Sequence, residues 1–438
     1  MHDVLERLFK LQEKNTSVKT EILAGVTTFI ALAYILFINP NILADAGIPK
    51  EAASAATIWI AALSSMAMGI FANYPVAMAP SMGLNAFFAY YVVGVLHLSW
   101  QIALGAVFFS GLLFLLLTMG GIRQAIINSV PASLRDAISI GIGLFIAFID
   151  LKGMGVIIAD PETYIALGHV MEPTTLLALF GFFLTAALMV RGIRGAILLG
   201  IVATTLLSML TGYSPLPHGI QDIMSFQLPS MGETFLQMDI IGAWNYGILS
   251  ILFTFTVVEL FNNMGTLIGL TSKAGLIHAN GEIENIDKAL TVDALGTIFS
   301  AVFGTSAASS YLESAAGIAA GGKTGLMAVT VGVLFLVALF FAPLIGLVPG
   351  MATAPALVIV GGIMMEDIVR IDFSDLTEGL PAFFTIIMMP LTSSIANGFA
   401  FGFISYALMK SAAGRAREVD KIMWCVSLAF LVNLVLRA

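Results

Sequence analysis

The chain has 438 residues, 59% of them hydrophobic and only 11% charged, with a formal net charge of -8 and a mean hydropathy of +0.98. A soluble domain carries about 25% charged residues, so this composition argues against a soluble enzyme, and without a basic stripe it argues against a nucleic-acid partner. The single cysteine, Cys425, excludes an intramolecular disulfide, and the five histidines (His2, His97, His169, His218, His278) lack metal-ligand spacing, so no metal or cofactor is expected.

In chain order, the first segment is 1–20. It carries both signs of charge and sets Val4, Leu5, Leu8, Phe9 and Leu11 on one helical face. That spacing predicts a short amphipathic helix on the cytoplasmic surface rather than a cleaved signal peptide. Apolar runs then recur, each long enough to cross about 30 Å of hydrocarbon. They predict spans at 22–40, 52–72, 78–95, 101–119, 137–150, 174–190, 195–212, 243–270, 288–303, 305–320, 325–342, 353–366, 376–392 and 395–410. A last apolar stretch, 421–437, reads equally as a fifteenth span or as a helix on the membrane surface.

Positive charge tests this path. With the N-terminus inside, 16 of the 19 Lys and Arg fall on the cytoplasmic side, among them Arg7, Lys14, Arg123, Arg135, Lys323 and Lys410. Lys50 and Lys152 fall outside, and Arg437 stays unassigned. One missed span would scramble so strong a bias. The expected location is the inner membrane, with many spans and a cytoplasmic N-terminus.

The two halves echo each other weakly. Val130-Pro131 leading to Gly141 resembles Val348-Pro349 leading to Gly361, and Ser81 to Asn85 resembles Ser309 to Glu313. An odd number of spans separates the partners, so the repeats are inverted in the membrane, as in many secondary transporters. Two matching segments also look broken: Pro75 to Tyr91, with Pro80, Gly83 and Asn85, and Gly304 to Gly322, rich in Ser, Ala and Gly. Broken spans free backbone groups that lipid cannot satisfy, so they line a protein cavity. Close helix packing through small residues is the structural alternative.

Glu313 lies in the second broken segment and Glu259 inside the span near Trp244. A carboxylate at membrane depth costs at least about 2.5 kcal/mol on insertion scales. Desolvation favours the neutral form of a carboxyl group, so both residues are proton-coupling candidates; Glu259 reads equally as a brace between helices. Asn262 shares a face with Glu259. Asn and Glu suit a purine, because an amide pairs with an adjacent donor and acceptor on a base edge and a carboxylate accepts two parallel N–H bonds. Phe87, Phe88 and Phe261 are candidates to stack on the base, although with 31 phenylalanines in the chain packing is the commoner role.

One motif is refused. Gly317-Ile318-Ala319-Ala320-Gly321-Gly322-Lys323-Thr324 satisfies the phosphate-loop pattern letter for letter. The motif needs a βαβ unit around it, and here it joins a broken segment to the next span. Lys323 is read as an anchor at the inner membrane face.

These stretches resemble a known family. Thr20 to Pro40, Met82 to Tyr90, Gly265 to Gly269 and Gly304 to Leu326 are similar to the azaguanine-resistance type of adenine, guanine and hypoxanthine permeases, within the nucleobase–cation symporters and nucleobase/ascorbate transporters. The resemblance implies an all-α membrane protein of seven plus seven inverted spans, with short strands in broken spans three and ten. It implies a core domain at 21–135 and 236–345 and a gate domain at 136–235 and 346–412, flanked by the 1–20 helix and the 413–438 C-terminal helix. It implies that substrate lies between spans three, eight and ten. Asn85 and Glu313 then fall on the family's span-three asparagine and span-ten glutamate, with Tyr311 and Leu312 offering backbone contacts and Phe261 and Asn262 on span eight. Many relatives carry a second acid where this chain has Asn262, so this chain would use Glu259 or Glu313 for the proton, or couple differently. The expected function is purine import by proton symport, with sodium as the alternative to the proton. The rival within the same fold is a sulfate or dicarboxylate carrier, which would favour positive charge at the broken segments. Expected partners are a purine base, the lipid bilayer and, from relatives, a second copy in a homodimer.

Overall fold

Long apolar runs with few breakers become helices. The computed structural model describes residues 2–120, 129–245, 249–277 and 283–437; Arg123 and His278, and the side chains of Val4, Phe261 and Asn262, lie outside the described residues. Among the described residues, seven helices are long and apolar enough to cross a membrane: Val18–Asp45, Lys50–Ala72, Trp100–Met119, Ala132–Gly153, Pro173–Val190, Gly325–Leu347 and Gly350–Arg370. Shorter or more polar helices include Ala196–Leu210, Leu249–Lys273, Ile286–Phe303, Leu376–Leu391, Ile395–Ala412 and Lys421–Arg437.

Breakers shape the details. Pro40 lacks the N–H that would reach Leu36, and the chain tightens just before it, with Leu36 N–H on the Ala33 carbonyl at 3.1 Å and Phe37 N–H on that of Tyr34 at 3.1 Å. The first run is therefore two helices, Val18–Leu32 and Ile35–Asp45, with Tyr34 at the junction. The expected N-terminal helix is shorter than 1–20 and covers His2–Phe9. It does not lie free on a surface, because Phe9 and Leu11 are buried against Leu326.

Among the described residues, four short strands interrupt the helices: β1 (Met78–Pro80), β2 (Ile157–Asp160), β3 (Tyr164–Leu167) and β4 (Ala308–Ser310). β1 pairs with β4, and β2 with β3, both antiparallel. The β2–β3 hairpin was not legible in the sequence, since its residues are largely exposed and carry no alternating apolar face.

The helices gather into two packed groups. In one, Val18–Leu32 and Lys50–Ala67 pack on Gly325–Ala338, and Trp100–Met119 on Ile286–Phe303. In the other, Ala132–Gly153 packs on Gly350–Met364 and Leu376–Leu391, while Ile395–Ala412 covers Leu376–Leu391 and Pro173–Val190 covers Gly350–Met364. Glycines permit the closest crossings. A Cβ on Gly325 would stand 1.9 Å from the Gly69 carbonyl oxygen, and one on Gly361 2.3 Å from that of Gly143.

An ionic cluster ties the second group at its helix ends. Lys410, 1% exposed, pairs with Glu378 at 2.7 Å and Glu418 at 3.0 Å. Arg415 pairs with Asp375 at 2.7 Å and Glu418 at 2.8 Å, and the Ser133 hydroxyl donates to Glu378. Lysine is tolerated in this buried place because both acids neutralise it. The last helix, Lys421–Arg437, lies on Ile395–Ala412, where Phe430 stacks on Phe399 and the Ser427 hydroxyl donates to the Phe403 carbonyl at 2.9 Å.

Two outcomes are expected. Gly325→Ala forces the Gly69 backbone away and lowers stability by about 1–3 kcal/mol, read as a lower thermal midpoint of the detergent-solubilised protein. Glu418 is lowered from 4.5 to about 2, chiefly by Arg415 and then by Lys410; Arg415 likewise holds Asp375 well below the usual carboxylate range. Depressed carboxylates add stability that is complete above the unfolded value and is lost as pH falls through the folded one. The midpoint therefore drops as pH goes from about 4.5 to about 2, and Arg415→Ala should flatten that drop in a pH series.

Candidate functional site

The site is built on the β1–β4 pair, which places extended backbone among helices. Ser81 N–H donates to the Ala307 carbonyl at 2.8 Å, and Tyr311 N–H to the Ala77 carbonyl at 3.0 Å. These bonds identify 81/307 and 77/311 as hydrogen-bonded pairs. By alternation Ala79↔Ser309 is another, while Met78↔Ser310 and Pro80↔Ala308 point their polar groups outward. The missing N–H of Pro80 thus falls on an outward edge, where no ladder bond is lost.

Outward groups would be orphans in an apolar interior, and side chains meet several of them. The Ser65 hydroxyl stands 2.9 Å from both the N–H and the carbonyl of Met78. On the other edge, Ser310 N–H donates to Asn263 Oδ1 at 3.2 Å, and Thr297 Oγ1 lies 3.3 Å from the Ala308 carbonyl. The Tyr311 phenol donates to the Pro80 carbonyl. The helix Met82–Ala86 leaves one end of the pair and continues in wider π-helical turns as Phe87–Val95; Ser314–Ala319 leaves the other end.

The residues expected from the sequence take different places around this frame. Glu313 stands at the entry to Ser314–Ala319, half-buried, and its carboxylate accepts a hydrogen bond from the Tyr34 phenol. Leu312 beside it is 57% exposed, while Tyr311 is buried. Asn85 is fully buried and donates its amide to Asn39, which in turn donates to Thr57 at 2.6 Å and Thr305 at 3.1 Å. Asn85 Oδ1 has no hydrogen-bond partner among the described residues. Glu259 is fully buried on the far side of β4, where Thr297 donates to it and Ser110 lies at 3.3 Å. Phe87 and Phe88 are fully buried; Phe87 packs on Tyr91 and Phe255 with centroids 5.2 and 5.0 Å away.

Chemically, Glu313 is a hydrogen-bond acceptor next to an exposed apolar side chain. Glu259 is enclosed by hydroxyls. Thr297 has one proton and two acceptors, Glu259 and the Ala308 carbonyl, so the state of that carboxyl group bears on β4. Sequence reading missed Tyr34, Asn39, Asn263 and Thr297. The signals for the first two were the break before Pro40 and an amide inside an apolar run; the others had none.

The chain is similar to known permeases along nearly its whole length. The family model described as Permease family (Xan_ur_permease) matches residues 19–435. Adenine permease AdeP of Escherichia coli is 44% identical, with 99% of this chain and 96% of that protein covered. Guanine/hypoxanthine permease PbuO of Bacillus subtilis is 39% identical, with 98% of this chain and 99% of that protein covered. The fold is like that of the transmembrane domain of a cyanobacterium bicarbonate transporter, BicA, with a TM-score of 0.64 at 16% identity, covering 86% of this chain and 97% of that one.

Ser65→Ala strips the partner from both Met78 backbone groups while removing a single oxygen. It is expected to lower stability by about 2–4 kcal/mol. A thermal midpoint within a degree of the parent would refute this account of the strand edge.

Proposed function

The chain belongs to this permease family and is an integral membrane protein, and we propose that it imports purine nucleobases across the inner membrane by proton symport. The observation that carries this reading is Glu313: a half-buried carboxylate where extended backbone turns into a short helix, next to exposed Leu312. A carboxylate there accepts N–H groups of a base edge. The names of the two relatives, an adenine permease and a guanine/hypoxanthine permease, support the substrate class. Glu313, with the backbone of Tyr311 and Leu312, is the core of the substrate site. Asn85, Phe261 and Asn262 complete it from the neighbouring segments.

Fourteen spans in two inverted halves fit the antiparallel β1–β4 pair, in which each half contributes one strand followed by one short helix. The two packed helix groups correspond to a core domain that carries the site and a gate domain, with the N-terminus cytoplasmic. In this mechanism base and proton load together. Protonation of Glu313 or Glu259 removes a buried charge that would otherwise resist movement of the core through the membrane. Asn262 cannot titrate, so this reading takes Glu259 and Glu313 as the proton-coupling candidates.

The test is thermal stabilisation of the purified protein by adenine, guanine, hypoxanthine, xanthine, uracil, sulfate and malate. A ligand at one hundred times its Kd adds about 2.7 kcal/mol to the folded state. At least one purine is expected to raise the midpoint, and Glu313→Ala to abolish the shift. A response to sulfate or malate with none to purines would sink the substrate class. In proteoliposomes, purine uptake is expected to rise with an inward proton gradient; uptake indifferent to the gradient would remove proton coupling.

A further inference from the structure

The phosphate-loop look-alike, residues 317–324, has a different tenant. A true phosphate loop presents successive backbone N–H groups to an anion. Here the helix Ser314–Ala319 closes with Gly321 N–H on the Ile318 carbonyl and Gly322 N–H on that of Gly317, both at 3.0 Å. Gly321 lies at φ +105°, a conformation that side chains rarely adopt. The turn that follows points the N–H groups of Lys323 and Thr324 at one carboxylate, that of Glu21, at 2.9 and 3.2 Å. The Thr16 hydroxyl adds a third bond to it at 2.8 Å. The next N–H, on Gly325, goes to Asn73 Oδ1 at 2.8 Å. Glu21 is fully buried, whereas the Lys323 side chain is exposed. The carboxylate therefore occupies the place of the anion at the start of the helix Gly325–Ala338, where amide dipoles favour negative charge.

Glu21 belongs to the helix Val18–Leu32, and Tyr34 stands just past its end. The segment from Glu313 to Thr324 lies along that helix. A Cβ on Gly317 would stand 2.1 Å from Thr28 Oγ1 and 2.6 Å from the Ala24 carbonyl oxygen, and one on Gly322 2.9 Å from the Ala24 Cβ. The contact is thus closed at both ends: by Glu21 on the turn, and by Tyr34 on Glu313. We propose that Glu21 is a positioning residue for the substrate site: its carboxylate is the built-in anion of the 317–324 turn, and by holding that turn on the first helix it fixes where Glu313 stands. This rests on the reading of Glu313 as a substrate ligand. Glutamine cannot replace the carboxylate, because its NH2 group would face one of the two N–H donors. A small carboxylate supplied from solution can.

The experiment measures purine uptake by Glu21→Ala, Glu21→Gln and the parent in proteoliposomes, with and without formate. Glu21→Ala is expected to raise KM about tenfold with a smaller change in Vmax. Formate should lower that KM and leave the parent unchanged, and Glu21→Gln should stay impaired. A parental KM in Glu21→Ala, or full recovery in Glu21→Gln with no response of Glu21→Ala to formate, would overturn the proposal in favour of simple space-filling. The melting of purified Glu21→Ala is read in parallel. Formate should raise its midpoint more than that of the parent, and an equal response would overturn the anion assignment. A parent that takes up no purine, with formate still rescuing the melting of Glu21→Ala, would strike the transport reading and leave the built-in anion standing.

Discussion

The structure depends on one constraint: backbone polar groups far from water must find partners inside the protein. Helices meet it internally. The two three-residue strands cannot, since each has one paired edge and one open edge. Ser65 closes one side, and Asn263 and Thr297 close the other. Proline at position 80 is tolerated because the alternation of the ladder puts its missing donor on an outward edge. The extended backbone in the interior thus draws on three separate helices for hydroxyls and an amide, and on the Tyr311 phenol.

From that frame the carboxylates acquire different characters. Glu313, beside exposed Leu312, is accessible and is held by a phenol. Glu259 is shut in behind β4 among hydroxyls and touches the strand through Thr297. Glu21 is buried against the backbone amides of Lys323 and Thr324. Three glutamates in one apolar chain therefore occupy a half-buried strand end, a closed network and a turn, and the distinction comes from what donates to each.

The same economy appears in the second helix group. Lys410 is buried there, and Glu378 and Glu418 meet it at the helix ends rather than in the middle of the bundle. Gly143 against Gly361 lets the helices cross almost backbone to backbone. Both groups use glycines at close crossings; the second adds a terminal ionic cluster, and the first is organised around a strand pair with polar groups at depth.

The sequence by itself determined the membrane setting, the helical segments, the two broken segments and Glu313 as a residue of note. Apolar run length and the placement of Pro and Gly are local properties, readable one window at a time. It also displayed the family likeness, because the motifs that carry it are contiguous. What it could not determine were partnerships across the fold: Tyr34 on Glu313, Asn263 on Ser310, Glu21 in the 317–324 turn. The partners lie 279, 47 and more than 300 residues apart. Serines, threonines and asparagines are ordinary in such segments, and no spacing rule distinguishes the one that seals a strand edge. Only the tertiary structure decided which polar side chain met which orphaned group, because that pairing is set by how the helices pack and not by the order of the residues within them.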